Sequence, residues 1–165
     1  MLGGVLAHAP RLIKIRALSQ SLGAFRAARA ANSVWRLNPF ARGRAIERFI
    51  LGRPANIPVS NFPVIDDFAS GVATSIKSLD LAADSYQAAS AVTRQLSGYA
   101  AKLSAFTGRT WGGFTVQANQ IQQRVLVVAF ENGAATAEHA QSLRQFIQTA
   151  QQNWPNIKVV FQFID

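Results

Sequence analysis

A chain of 165 residues, 49% of them hydrophobic, has the size and composition of one domain with an ordinary core. It lacks cysteine, which excludes disulfides, zinc–cysteine sites and thiol nucleophiles, and no apolar run approaches the roughly 18 residues of a transmembrane helix. Seventeen basic residues against eight acidic ones, a formal charge of +9, suit a polyanionic partner: nucleic acid, an anionic membrane or an acidic protein.

Residues 1–37 are compositionally distinct. They hold Arg11, Lys14, Arg16, Arg26, Arg29 and Arg36, and the first carboxylate of the chain is Glu47. Leu12–Ala31 has the spacing of a basic amphipathic helix, suited to a membrane surface, a presequence or a linker. We read 1–37 as a basic lead-in and expect the folded domain over 38–165. A secretory signal does not fit, because no basic stretch precedes the short apolar run Leu2–Leu6.

Asn38-Pro39 is a helix start and Gly52 with Pro54 a matching stop. On that helix Ile46, Phe49 and Ile50 are the expected buried stripe, with Glu47 beside it and Arg44 and Arg48 flanking. Gly43, one turn before Glu47, would leave room for a close neighbour. Two β-type runs follow, Phe62–Phe68 and Val72–Leu79, around the turn signal at Ser70-Gly71. A two-residue turn pairs Ala69 with Val72, Asp67 with Thr74 and Asp66 with Ser75. Side chains alternate along a strand, so this register gathers Asp66, Ser75 and Lys77 on one face. A three-residue turn would bring Asp67 there instead. An acid, a hydroxyl and an amine on one face suit phosphate-ester chemistry; a polar outer face with one salt bridge is the plainer reading.

A long helix is expected over Ala82–Phe106, with Val92, Leu96, Tyr99, Leu103 and Phe106 facing inward. Asp80 or Asp84 would cap it. Arg109 to Phe114 reads as a loop or strand entry, and Trp111 beside two glycines could stack on a base. Gln123–Phe130 is a buried strand, Thr136–Asn153 a helix with Leu143, Phe146, Ile147 and Ala150 inward, and Ile157–Ile164 a last strand. Strand, helix and strand in succession imply a right-handed parallel crossover. His8 and His139 are the only histidines, one in the lead-in and one expected on an exposed helix surface, so histidine-pair ribonuclease chemistry is not expected. No Walker loop, dinucleotide glycine pattern or nucleophile elbow is present.

With the long helix as an insertion, this order resembles the PD-(D/E)XK nuclease core. That resemblance implies an α/β fold, a mixed sheet flanked by helices, with Glu47, Asp66 and the run Ser75-Ile76-Lys77 at the catalytic positions. Ser75 stands where an acid is usual, and no proline directly precedes Asp66. At residue level, Asn38-Pro39-Phe40 with Gly43 and Glu47, Asn61–Asp66, Gly71–Leu81 and Trp111-Gly112-Gly113 resemble the endonuclease toxin domains that end CdiA-type contact-dependent growth-inhibition effectors. The resemblance spans 38–165. It implies a ribonuclease toxin cutting transfer RNA, delivered as part of a larger secreted or cell-surface effector, acting in the target-cell cytoplasm and neutralised by a cognate immunity protein, without stable membrane insertion. Glu47, Asp66, Ser75 and Lys77 would be catalytic. Arg44, Thr74, Asp80, Arg109 and Trp111 would bind substrate. Glu47 and Asp66 would hold a divalent cation, Mg²⁺ by the hardness of carboxylate oxygens, although RNA with its own 2′-OH also permits metal-independent cleavage. Two alternatives are a non-enzymatic basic nucleic-acid-binding protein and a membrane-surface protein acting through residues 12–31.

Overall fold

The computed structural model describes residues 33–165. The Leu12–Ala31 segment therefore lies outside the described residues, as does His8. Helix α1 (Pro39–Leu51) starts and stops as expected: the Asn38 side chain accepts from the Ala41 amide, and Gly52 closes it at φ 63°. Strands β1 (Asp67–Ala69) and β2 (Val72–Leu79) form a hairpin. Helix α2 (Ala89–Ser104), a small hairpin of β3 (Arg109–Trp111) and β4 (Phe114–Val116), strand β5 (Gln123–Glu131), helix α3 (Ala137–Asn153) and strand β6 (Ile157–Ile164) follow.

The main sheet has the order β1-β2-β5-β6, with β1 antiparallel and the other three strands mutually parallel. It is a mixed sheet, as the sequence implied. Alternation along β2 and β5 builds two cores. Ala73, Leu79, Leu126, Val128 and Phe130 pack with Val92, Leu96 and Leu103 of α2 and Leu143 and Phe146 of α3. Ile76, Val127 and Ala129 face the opposite way, onto Ile46 of α1 and Trp35. Helices thus lie on both faces. Among the described residues no helix is long and apolar enough to cross a membrane.

Several expectations need correction. Phe49 is 62% exposed, while Ile46 is fully buried. At 100° per residue Phe49 lies about 80° from the centre of the Ile46–Ile50 arc, beyond the edge of the contact. Gly43 meets no neighbour: a Cβ built there finds nothing within 4 Å. The long helix starts at Ala89 rather than near Ala82, after a 3-10 turn at Asp84–Tyr86, because Asp80 is spent on a tight turn. Its Oδ1 accepts from the Ala82 amide at 3.1 Å and its carbonyl from Ala83 at 3.1 Å, so neither Asp80 nor Asp84 caps α2.

His139 is buried, not exposed. Thr136 N–H donates to its Nδ1 at 3.3 Å, which leaves Nε2 as the proton-bearing atom, donating to the Tyr86 carbonyl at 2.9 Å. It closes the N-terminus of α3 in place of the glutamate usual in such a box.

The packed unit also reaches upstream of Asn38. Trp35, in the 3-10 turn Val34–Arg36, is buried against Ile46 and Ile164 with its Nε1 donating to the Ile164 carbonyl at 3.3 Å. Removing such a side chain costs about 3–5 kcal/mol. Trp35→Ala should lower the urea midpoint accordingly, and a fragment starting at residue 32 should melt higher than one starting at 38. Equal melting of the two fragments would show that Trp35 adds nothing to the domain.

Candidate active site

Ser70 and Gly71 both have positive φ, 49° and 79°, the geometry of a two-residue hairpin turn whose twist matches its strands. The resulting register pairs Ala69 with Val72, Phe68 with Ala73 and Asp67 with Thr74. Just before β1 the ladder changes. The Asp66 amide still donates to the Thr74 carbonyl at 2.8 Å, but the Ile76 amide finds the Asp66 carboxylate, Oδ2 at 2.6 Å, instead of a backbone carbonyl. Lys77 Nζ meets the same Oδ2 at 2.9 Å. Both side chains keep about a quarter of their surface, 27% for Asp66 and 28% for Lys77, so the pair opens to solvent. Oδ1 of Asp66 accepts no hydrogen bond among the described residues.

Chain geometry upstream accounts for the position of Asp66. Ile65 N–H donates to the Pro63 carbonyl at 3.0 Å across Val64, whose φ is 74°. This is a three-residue γ-turn of the positive-φ kind, a strained conformation for a β-branched residue. Ser75 Oγ donates to the Val64 carbonyl at 2.8 Å, and Ser75 is buried at 2% exposure. The hydroxyl expected to orient water or phosphate is instead committed beneath the site, bracing the turn that aims Asp66.

The neighbouring Asp67 does something different. It is 2% exposed and gripped by Arg53 through both oxygens, at 3.2 and 2.7 Å, and by the Asn56 amide at 2.6 Å. Of the two adjacent aspartates, Asp66 alone joins Lys77.

Glu47 comes from α1 and is half-buried. Burial pushes its carboxyl above the ordinary glutamate value; the charges of Asp66 and Asp67 push the same way and Lys77 opposes them. Its charge is thus felt at the Asp66–Lys77 pair from the other face of β2. Among the described residues no three His, Cys, Asp or Glu side chains cluster as a metal cage. Two carboxylates, with water and substrate phosphate, are nevertheless a common complement for Mg²⁺. Asp66, whose Oδ1 accepts no hydrogen bond among the described residues, and Glu47 would be the residues to hold such an ion.

The expected substrate-binding residues are scattered. Arg44 is exposed on α1, and Thr74 lies on the β2 face opposite Ser75 and Lys77. Asp80 pairs with Arg42 at 3.3 Å. Arg109 and Trp111 sit on the β3–β4 hairpin, where Trp111 Nε1 donates to the Ser60 carbonyl at 3.3 Å; no hydrogen bond or ion pair joins them to the Asp66–Lys77 pair among the described residues. Sequence reasoning overlooked Arg42, stacked 5.4 Å from the Trp35 ring, although its place four residues before Ile46 marks it as inward-facing. Arg53 carried no local signal.

A family model, CDI toxin restriction endonuclease-like domain, matches residues 42–162. The chain belongs to this family. The fold is similar to a solved CdiA-CT/CdiI toxin and immunity complex from Yersinia pseudotuberculosis, with TM-score 0.57 and 19% identity over 72% of this chain and 98% of that one. No curated protein sequence matches it. A CDI toxin domain of nuclease type is the identity consistent with the site's acid–lysine pair.

Two predictions follow from the geometry. Ser75→Ala strands the Val64 carbonyl and should cost about 1–3 kcal/mol in denaturant unfolding. Ser78→Ala, on the same strand without such a bond, should change stability by no more than about 0.5 kcal/mol, and equal losses in both would remove the bracing role.

For Glu47 the sign is set by its raised carboxyl. Between the ordinary glutamate value, about 4.3, and the raised folded value, the native state binds more protons than the unfolded chain. Stability is therefore lost as pH rises through that window, and the loss is complete above it. Glu47→Gln should be more stable than the wild type at pH 7, with the gap closing towards about pH 4. A gap independent of pH, measured by denaturant titration, would contradict this.

Proposed function

We propose that this CDI toxin domain cleaves phosphodiester bonds of RNA, with transfer RNA as the substrate, using Asp66, Lys77 and Glu47. The observation that carries the reading is the Lys77–Asp66 pair, 2.9 Å apart and open to solvent, with the charge of Glu47 felt beside it. Lys77 is the cation paired with Asp66, and it offers its remaining protons to a non-bridging phosphate oxygen as charge builds there. Asp66, held by the Ile76 amide, keeps that amine aimed. Glu47, its proton affinity raised, suits accepting a proton from the attacking hydroxyl, whether water or the RNA 2′-OH. In a metal-dependent reaction Glu47 and Asp66 would instead hold a divalent cation, Mg²⁺ in this reading, which would polarise the phosphate. Arg44 would contribute phosphate contacts from α1.

The delivery route follows the family: a larger effector carries the domain to a competing cell, where it acts in the cytoplasm. A cognate immunity protein, as in the Yersinia pseudotuberculosis complex, would bind and block it. A second reading, DNA as substrate, is favoured by one specific observation, the restriction endonuclease-like character of the matching family.

The test uses purified full-length protein with total RNA and, separately, plasmid DNA, with and without EDTA, mapping new ends. New ends confined to transfer RNA are expected. Lys77→Ala and Asp66→Asn should each lower the rate about 100-fold or more, the usual cost of removing a preorganised electrostatic partner. Cleavage of DNA alone would move the substrate to the second reading. Cleavage unaffected by either substitution would remove the site, and toxicity retained in both would favour a non-enzymatic binder.

A further inference from the structure

Helix α1 carries a side chain that the fold leaves unexplained. Phe40 is 81% exposed and belongs to neither core, although burying such a ring would stabilise the fold. Its place on the helix is informative. Phe40, Arg44 and Glu47 stand at i, i+4 and i+7 and so form one continuous stripe. Gly43 lies on the inner margin of that stripe and is open, with nothing within 4 Å of a Cβ built there. The other exposed ring on this helix, Phe49, is nine residues on, about 180° around it, and belongs to a different surface.

Resting on the nuclease reading above, we infer that Phe40 is a stacking platform for a nucleobase next to the cleaved nucleotide, with Arg44 on the adjoining phosphate. An exposed aromatic interleaved with arginine is the combination that holds single strands: the ring meets a base face and the cation meets the backbone. The charge of the helix suits a strand, since α1 carries the exposed Arg44 and Arg48 against the single acid Glu47. Seven residues of helix separate Phe40 from Glu47 by about 10 Å along the axis. The ring therefore addresses a neighbouring nucleotide, not the one whose phosphate meets Lys77. The notch over Gly43 leaves the backbone of the strand a path between the two. Base stacking tolerates any base, so Phe40 sets affinity and alignment, and any sequence preference comes from elsewhere.

The test places 2-aminopurine at successive positions of one single-stranded sequence, made as RNA and as DNA, and titrates it with full-length protein carrying Lys77→Ala so that the strand stays intact. One position should be quenched strongly on binding. Adding Phe40→Ala should weaken binding about tenfold and abolish that quench, with melting temperature and salt slope unchanged, whereas Phe40→Trp should retain both. Arg44→Ala should lower the salt slope by about one instead. In the cleaving enzyme, Phe40→Ala should raise KM more than it lowers kcat. The RNA and DNA arms show which backbone is preferred. Wild-type affinity and quench in Phe40→Ala overturns the inference while leaving the nuclease reading intact. Weakened capture of the cognate immunity protein with unchanged oligonucleotide binding also overturns it, assigning the ring to a protein interface. A wild-type chain that neither binds nor cuts either nucleic acid overturns the nuclease reading and this inference with it.

Discussion

The register of the Ser70-Gly71 hairpin is the constraint on which the site depends. A strand has a side-chain period of two, so slipping β1 by one residue would exchange Asp66 for Asp67 beside Lys77 and turn a buried aspartate outward. The positive φ of both turn residues selects the two-residue loop, and the loop selects the register. The two carboxylates then take opposite duties. One is buried and neutralised by Arg53, where its loss would leave an unpaired cation; the other stays at the solvent edge with an oxygen to spare.

Strain and hydrogen bonding work together just upstream. The Val64 γ-turn lifts the chain off the sheet, so β1 cannot extend back to Phe62 as its composition invites. The free edge of β2 that results is filled by a carboxylate in place of a carbonyl, and this substitution puts an acid within reach of Lys77. A serine at the position usually held by an acid now reads as support: its proton secures the Val64 carbonyl. Backbone strain held by surrounding structure next to reactive groups is a recurring feature of functional sites.

Helix α1 joins the two faces of the sheet in function. Ile46 anchors it against Ile76 and Val127, on the side away from the odd-numbered residues of β2. The next residue, Glu47, lies in the field of Asp66 and Lys77, where burial and the charge of Asp66 raise its proton affinity.

Local chemistry was enough to read much of this protein. Asn38-Pro39 and Gly52 mark α1, Ser70-Gly71 the hairpin, and the apolar runs β5 and β6, because caps, turns and buried strands depend on neighbours in the chain. The Asp66–Lys77 pair was legible for the same reason, since a hairpin's register follows from its turn. What depended on distant partners was not. Arg53 chooses Asp67 across 14 residues, Trp35 reaches Ile164 across 129, and His139 is buried by Tyr86 across 53. Ser75 looked like a site hydroxyl until the turn at Val64 supplied its acceptor. Phe49 looked like core until the packing of α1 left it 62% exposed. Sequence alone determined the bounds of α1, the apolar strands and the hairpin register, because those are settled within a few residues. Tertiary structure alone decided which polar side chains are spent on the fold and which remain free to react, because burial and hydrogen-bond partners arise only when distant segments meet.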